Sequence, residues 1–431
     1  MRTRVARLNP VRPGVLRFLN GIDYGSIRIH EDGRVDLLGE GNPGPTVDVT
    51  VHSARLWTRM LRGSTGMAES YILGEWDCDD LVGLATLAGN NLEGLDRVRR
   101  PLHQVTGPIQ RLGLTMPRTT RSRGKSQIAA HYDLGNELFS LFLDPSMNYS
   151  SGIYCDPEDD LEAAQINKMN RIADRLELGP GDHLLEIGTG WGGLAVHLAE
   201  RTGCRITTTT ISKEQAELAR RRVEDAGLSD RIEVIETDYR DLTGTYDRLV
   251  SVEMIEAVGW KDFPTYFRKC CSLIKPGGAM LLQAIVIDDD AYELEKASRS
   301  FISHFIFPGG CLPSVAEISR CLDIGTDMRT VWVDEIGDDY ARTLADWRDR
   351  FLAVTDRLEA LGYDRRFRRM WVLYMCFAEG GFRSGRNSDV QMLLARPGFT
   401  PAADQADQAG QAADLPLTQP AGNAPAGTSP A

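Results

Sequence analysis

From about residue 161 the chain alternates two spacings of apolar residues. Leu161 to Leu176 repeats them every three or four positions, the period of one helix face, whereas Leu184, Leu185 and Ile187 make a compact run of the buried-strand kind. The alternation continues: CRITTTTI reads as a strand, SKEQAELARRRVEDAG as a helix, RIEVIET and YDRLVSV as strands, KDFPTYFRKCCSLI as a helix, and AMLLQAIVI as a strand entered through the PGG turn at 276–278. Such a series predicts the α/β class, with a doubly wound, mostly parallel sheet. Between the first strand and a helix expected from Trp191 to Glu200 lie Gly188, Gly190, Gly192 and Gly193. Glycines there let the backbone turn sharply and let a ligand approach main-chain N–H groups at a helix N-terminus. The turn marks a ligand-binding crevice.

The flanks read differently. Residues 1–98 alternate short apolar runs with Gly, Asn and Asp turns and predict a small N-terminal α+β domain, whose last part, GMAESYILGEWDCDDLVGLATLAG, reads as helical. Residues 99–127 read as a linker, in a stretch from Arg99 to Tyr132 that holds seven Lys or Arg and no acid. A solvated connector is one reading of that run; attraction to an anionic membrane surface is the other. In the main domain, 128–396, the pattern after Asp288 is predominantly helical to about 395 and predicts a cap over the ligand edge of the sheet. Within it, Arg365, Arg366, Arg368 and Arg369 form either a solvated helix face or a grip on phospholipid headgroups. Residues 397–431, rich in Ala, Gln, Pro, Gly and Asp, predict a disordered tail.

Composition narrows the classes. With 42% hydrophobic and 26% charged residues the chain is ordinarily globular, and a net charge of −12 argues against a general nucleic-acid binder. Eight cysteines show no CxxC pair and no metal-ligand spacing with the seven histidines, so we expect no metal and a reduced, cytoplasmic setting. No apolar run approaches the roughly 18 residues of a membrane span, which leaves peripheral contact at the inner face of a membrane as the expectation.

A glycine turn alone does not name its ligand. A dinucleotide site expects an acid roughly 20 residues on, to hold the ribose. That place is taken by Thr207 to Thr210, and the first acid is Glu214, already in the next helix. Instead the sequence offers Glu186, Gln215, Asp238 and Tyr239 near successive strand ends. Acids and amides there can hold ribose hydroxyls and an adenine amine, and Tyr239 can pack on a base. Singly, each is an ordinary surface cap.

The motifs HYDLGNELFSLFLDPSMNYSSGIY, LEIGTGWGGLA, TISKEQ, DYRDL, SVEMIEAVG, FIFPGGCLPS and GFRSG resemble, in order from about residue 20 to 396, the cyclopropane-fatty-acid synthase family of S-adenosylmethionine-dependent methyltransferases. SVEMIEAVG with LLQAI looks more like its actinobacterial branch, linked to mid-chain methyl-branched, tuberculostearic-type fatty acids. The resemblance implies a Rossmann-like class I methyltransferase sheet, S-adenosyl-L-methionine as cofactor, and a lipid or membrane role for the N-terminal domain. It implies that Tyr149 and Ser150 touch the methyl donor, that Gly188 and Gly190 lie against its methionine part with Gly192 in the same turn, that Thr210 and Gln215 serve the ribose side, and Asp238 and Tyr239 the adenine side. It further implies a bicarbonate ion held by Cys, Glu, His, Ile and Tyr, whose matching positions are Ser151, Glu256, Gln283, Ile285 and Tyr340, so that two of the five differ.

An alkene is a weak nucleophile, so attack on a sulfonium methyl needs alignment and stabilisation of the carbocation that follows, with water excluded. Glu256 is the first candidate for that stabilisation; a helix-terminal acid is its ordinary reading. Loss of a proton with ring closure gives a cyclopropane, and loss without closure gives an exocyclic methylene. Exchange of an ionisable imidazole for the amide of Gln283 is expected to favour the methylene. The expected reaction is C-methylation of the cis double bond of an unsaturated, oleoyl-type acyl chain in a phospholipid. The expected partners are that lipid, a flavin-dependent reductase acting on the methylene product, and a second copy of the chain in a homodimer. A cyclopropane synthase, a methyltransferase for a small-molecule or headgroup amine, and a lipid-surface binding protein with a vestigial donor site stand as alternatives.

Overall fold

A computed structural model describes residues 9–92, 135–296 and 300–401. The basic linker 99–127, His131 and Tyr132 of the HYDLGN motif, and the tail beyond 401 lie outside the described residues.

The N-terminal unit is a four-stranded sheet of order β2-β1-β3-β4, formed by Ser26–Glu31 (β1), Arg34–Leu38 (β2), Thr46–Val51 (β3) and Trp76–Cys78 (β4). β1 and β2 make a hairpin around Asp32 and Gly33, whose φ values of 48° and 77° supply the left-handed pair that a two-residue turn requires. The segment read as continuously helical differs: the Gly63–Ile72 helix stops before Gly74, at φ 73°, and Trp76–Cys78 pairs antiparallel with β3 before residues 81–92 turn helical again. Trp76 accounts for that strand, because its ring is buried and its Nε1–H donates to Ser70 Oγ at 2.9 Å.

The main sheet has seven strands in the order β10-β11-β9-β8-β5-β6-β7. His183–Ile187 (β5), Arg205–Thr209 (β6), Ile232–Ile235 (β7), Tyr246–Val252 (β8) and Ile274–Ile287 (β9) run parallel to their neighbours, and Arg329–Glu335 (β10) and Asn387–Ala395 (β11) add an antiparallel edge. Both faces are covered: Leu184, Val250 and Leu281 belong to one buried cluster, while Leu185, Leu249 and Leu282 belong to the other. That is why these strands read as unbroken apolar runs. The predicted cap is therefore only partly helical. Within 288–395 the helices Val315–Gly325, Gly337–Ala353 and Arg365–Arg383 alternate with the two edge strands, which short-range periodicity did not separate from them. The expected tail also begins later than 397, since Phe399 is buried with the Arg248 guanidinium 5.1 Å from its ring centre.

The Arg365–Arg383 helix joins the two units. Arg369 donates from Nε to the Tyr71 carbonyl at 2.7 Å and from Nη2 to the Trp76 carbonyl at 2.9 Å, pairs with Asp77 at 2.7 Å, and lies over the Tyr71 ring at 3.8 Å. Arg368 is bound to the Tyr363 carbonyl and Glu359. These two arginines brace the fold, leaving only Arg365 and Arg366 exposed in that run. Replacing Arg369 by Ala leaves two carbonyls without their donor, and we expect a loss on the order of 2–4 kcal/mol, read as a lower denaturant midpoint.

Candidate active site

The glycine turn follows β5 directly. Gly188 and Thr189 donate their N–H groups to the Thr209 carbonyl at 3.0 and 3.1 Å, which ties the turn to the end of β6. Gly188, Gly190 and Gly192 adopt φ values of 106°, 51° and 86°, where a side chain is strained. A Cβ on Gly190 would meet nothing within 4 Å, and one on Gly188 would lie 3.5 Å from the Met254 side chain. Gly192 caps the Gly193–Thr202 helix, so helix entry falls two residues after Trp191, whose Nε1–H instead donates to Asn136 Oδ1 at 2.7 Å.

Around this turn the structure gathers the residues expected at the strand ends. Glu186 is buried at the end of β5; its Oε2 has no hydrogen-bond partner, and burial pushes its carboxyl up to about 8 against a lowering contact from Thr208. Thr210 Oγ1 donates to Gln215 Oε1 at 2.8 Å, and both are buried. Asp238 and Tyr239 follow β7, with Asp238 ion-paired to Arg240 at 2.6 Å and Tyr239 packed edge-on to Tyr266 at 5.5 Å. Tyr149 comes from the loop before the Leu161–Arg175 helix; its hydroxyl donates to Tyr374 at 3.0 Å, and its ring lies 5.1 Å from Trp347 and 5.3 Å from Phe139. Its neighbour Ser150 receives the buried Lys168 ammonium at 2.5 Å.

A second cluster forms where β8, β9 and β11 lie side by side, and its centre is a residue that sequence reasoning passed over. Glu253 follows β8 with φ 46°, a left-handed conformation rare for a residue with a side chain. Its Oε1 accepts from the Ser151 N–H at 2.8 Å and from Gln283 Nε2 at 2.9 Å, and its Oε2 accepts from the Tyr340 hydroxyl at 2.7 Å. Gln283 spends its second amide hydrogen on Asp389 Oδ2 at 2.9 Å and accepts from Gln391 Nε2 at 3.0 Å. Burial raises Glu253, opposed by the Lys168 charge and by its donors from Tyr340, Ser151 and Gln283. Asp389 is pushed well above the ordinary carboxyl range by burial and by the neighbouring acids. Glu256 accepts from the Ile285 N–H at 2.7 Å; burial and the Glu253 charge push it up to about 8, and its Oε2 is buried without a partner.

The five positions matched to a bicarbonate set thus come together, but not around an anion cradle. The Ser151 hydroxyl donates to the Gly152 carbonyl at 2.9 Å, so it is the main-chain N–H of Ser151 that faces the cluster. That N–H, the Gln283 amide and the Tyr340 hydroxyl are all engaged by Glu253, with Glu256 and Asp389 close enough to raise one another. A second anion does not fit these residues: its donors are taken, and the Glu253 charge repels it. Signals for the missed residues exist. SVEMIEAVG carries two acids, and Gln165 and Lys168 interrupt the otherwise apolar buried stripe of their helix.

A seven-stranded sheet with one antiparallel edge and a glycine-rich crevice after its central strand is the class I methyltransferase architecture, seen also in coclaurine N-methyltransferase, with a TM-score of 0.57 at 18% identity over 77% of this chain and 99% of that one. Residues 119–392 match the family described as mycolic acid cyclopropane synthetase, and the chain belongs to that family. It is 40% identical over 343 residues to tuberculostearic acid methyltransferase UfaA1 of Mycobacterium tuberculosis, covering 78% of this chain and 80% of the relative. It is 36% identical over 354 residues to the cyclopropane-fatty-acyl-phospholipid synthase of Escherichia coli, covering 81% and 87%. Among solved structures, the mycolic acid cyclopropane synthase CmaA1 complexed with SAH and CTAB has a TM-score of 0.59 at 26% identity, over 63% of this chain and 98% of that one. The chain is an S-adenosylmethionine-dependent methyltransferase.

The raised carboxyls carry a stability signature. Glu186 and Glu256 move from an ordinary 4.5 to about 8 on folding. Below 4.5 both folded and unfolded chains hold these protons; between 4.5 and 8 only the folded chain does, so stability falls as pH rises through that window. Lys168, lowered by burial to about 8, is protonated in both states over most of the window and does not offset the trend. Melting temperature is expected to decline from pH 5 to 8 in the ligand-free protein, and Glu256→Gln to flatten that slope.

Proposed function

We propose that the chain methylates the cis double bond of an unsaturated acyl chain, oleoyl in a membrane phospholipid, and converts it to a mid-chain methylene fatty acyl chain. The observation that carries this reading is the junction at Met254: the side chain that borders Gly188 of the turn directly follows Glu253 of the acid cluster. Donor crevice and acids thereby share one wall. The names of the relatives at 40% and 36% identity, a tuberculostearic acid methyltransferase and a cyclopropane-fatty-acyl-phospholipid synthase, support an unsaturated acyl substrate.

The residues present fit the methyl donor, which when bound supplies an electrophilic methyl group on a sulfonium. Glu186 Oε2, buried without a partner, is suited to an ammonium or hydroxyl, and the open side of Gly190 gives room beside the main chain. Thr210 with Gln215 serves the ribose side, and Asp238 with Tyr239 the adenine side. Tyr149 and Ser150 directly precede Ser151, whose main-chain N–H binds Glu253, and serve the donor from that loop. Tyr149, Phe139, Phe307 and Trp347 exclude water from a cation forming on the acyl chain, and their ring faces attract positive charge. Glu256 supplies a carboxyl with an unspent oxygen for the same cation.

A methylene product is one reduction short of a methyl branch, so a flavin-dependent reductase acting next is the matching partner. Among the described residues no helix is long and apolar enough to cross a membrane. A phospholipid substrate calls for peripheral contact at the inner face of the membrane, and that location goes with the proposed reaction.

Incubation with methyl-labelled S-adenosylmethionine and oleoyl phospholipid vesicles should give a labelled acyl chain with vinylidene protons by NMR. A cyclopropane signal would assign the ring-forming activity instead, and label on headgroup nitrogen would assign amine methylation. Gly190→Ala, which places a side chain on the open face of the turn, should weaken S-adenosylhomocysteine binding by about tenfold or more in calorimetry while costing about 1–2 kcal/mol of stability.

A further inference from the structure

We infer that the Glu253 carboxylate stands where an exogenous bicarbonate would otherwise bind and itself accepts the proton lost from the methylated acyl chain. This rests on the proposed acyl methylation. Three observations converge on it. The donors that would hold a small oxyanion, the Ser151 N–H, the Gln283 amide and the Tyr340 hydroxyl, all point to Glu253 at 2.7–2.9 Å, so the built-in carboxylate satisfies the site that an ion would have to fill. The residue takes φ 46° to get there, a strained geometry that persists only where its surroundings over-determine it. Neighbouring Met254 borders the glycine turn, which puts the carboxylate at the donor end of the sheet rather than deep in the core.

The surroundings also decide which acid is charged. Glu253 and Asp389 face one buried ammonium, Lys168, and Glu256 adds a third acid that raises Asp389 and is itself raised by Glu253, so the three carboxylates cannot all be ionised there. Glu253 has the three donors and the attraction of Lys168, whereas Asp389 receives one amide hydrogen and Glu256 one main-chain N–H. Glu253 is the member that carries the charge. Tyr340, held far above its ordinary range by burial and by the Glu253 charge, stays a donor and does not compete as a base.

The step balances without a further reactant. The alkene π pair forms the new C–C bond to the methyl carbon as the C–S bond breaks, which releases S-adenosylhomocysteine and leaves a cation on the adjacent acyl carbon. The hydrogen on the methyl-bearing carbon shifts with its electron pair to that adjacent carbon, which moves the cation to the carbon bearing the methyl; a C–H bond of the methyl then breaks, its electron pair forms the exocyclic C=C bond, and the proton goes to Glu253. The neutral acid returns its proton to water when the product leaves.

Glu253→Gly is the informative variant, because glycine adopts φ 46° without strain; it leaves the Ser151 N–H, the Gln283 amide and the Tyr340 hydroxyl without their acceptor, so S-adenosylhomocysteine binding is measured alongside turnover to show that the fold persists. In bicarbonate-depleted buffer the wild type should keep its full turnover. The variant should lose about 100-fold or more while binding S-adenosylhomocysteine within a few-fold of wild type, and added bicarbonate or formate should restore about tenfold or more. Glu253→Gln should show the same loss with no rescue, since its amide still fills the site. Independently of turnover, line broadening of ¹³C-bicarbonate should appear with Glu253→Gly and not with the wild type, which tests the occupancy even if the acyl substrate is misassigned. Loss of wild-type turnover on removing bicarbonate, bicarbonate binding by the wild type, or full turnover by Glu253→Gln would each overturn the inference.

Discussion

A carboxylate taken out of water needs hydrogen bonds or an opposite charge for every part of its surface, and the centre of this molecule is arranged around that need. Glu253 draws donors from the loop at Ser151, from β9 through Gln283 and from the Gly337–Ala353 helix through Tyr340. Asp389 and Gln391 bring in β11, and Lys168 brings in the helix that precedes the glycine turn. Segments far apart in sequence are thereby fixed to one another by polar contacts with definite directions, which apolar packing alone does not provide. The antiparallel edge of the sheet becomes part of the chemistry, because β11 supplies two of the polar side chains.

The same arrangement separates two tasks along one row of strand ends. β5, β6 and β7 end in the glycine turn, the Thr210–Gln215 pair and Asp238, a polar strip suited to a nucleoside. β8 ends and β11 begins at the acid cluster, which β9 crosses at Gln283, and Tyr340 of that cluster lies 6.1 Å from Trp347, the ring that packs on Tyr149. Tyr374 lies on the helix that Arg369 fastens to the N-terminal sheet. One helix is therefore both the bracket for the small domain and a wall of the crevice.

Much of this was legible in the sequence. The central strands could be read because both of their faces are buried, and the glycine turn because its φ values exclude most other residues. The edge strands could not: Arg329–Glu335 and Asn387–Ala395 pair with each other and with β9 across long stretches of helix, and no local period records such pairing. In the site, Gln283, Tyr340 and Ser151 were found through motif resemblance, yet the part played by Ser151 is its main-chain N–H, which any residue type supplies. Glu253 was missed for a related reason. SVEMIEAVG offers two acids three positions apart, and what turns the first into the cluster is a single backbone angle that residue identity does not encode.

The bridge at Gln283 also constrains how the family can diversify. Both of its amide hydrogens are spent, one on Glu253 and one on Asp389, while its carbonyl oxygen accepts from Gln391. An imidazole that donates to both acids is doubly protonated and has no atom left to accept from Gln391, so it cannot reproduce this pattern. Positions 253, 283, 389 and 391 are therefore energetically coupled: an exchange at any one of them leaves a buried polar group on another without its partner, and their effects on stability do not add.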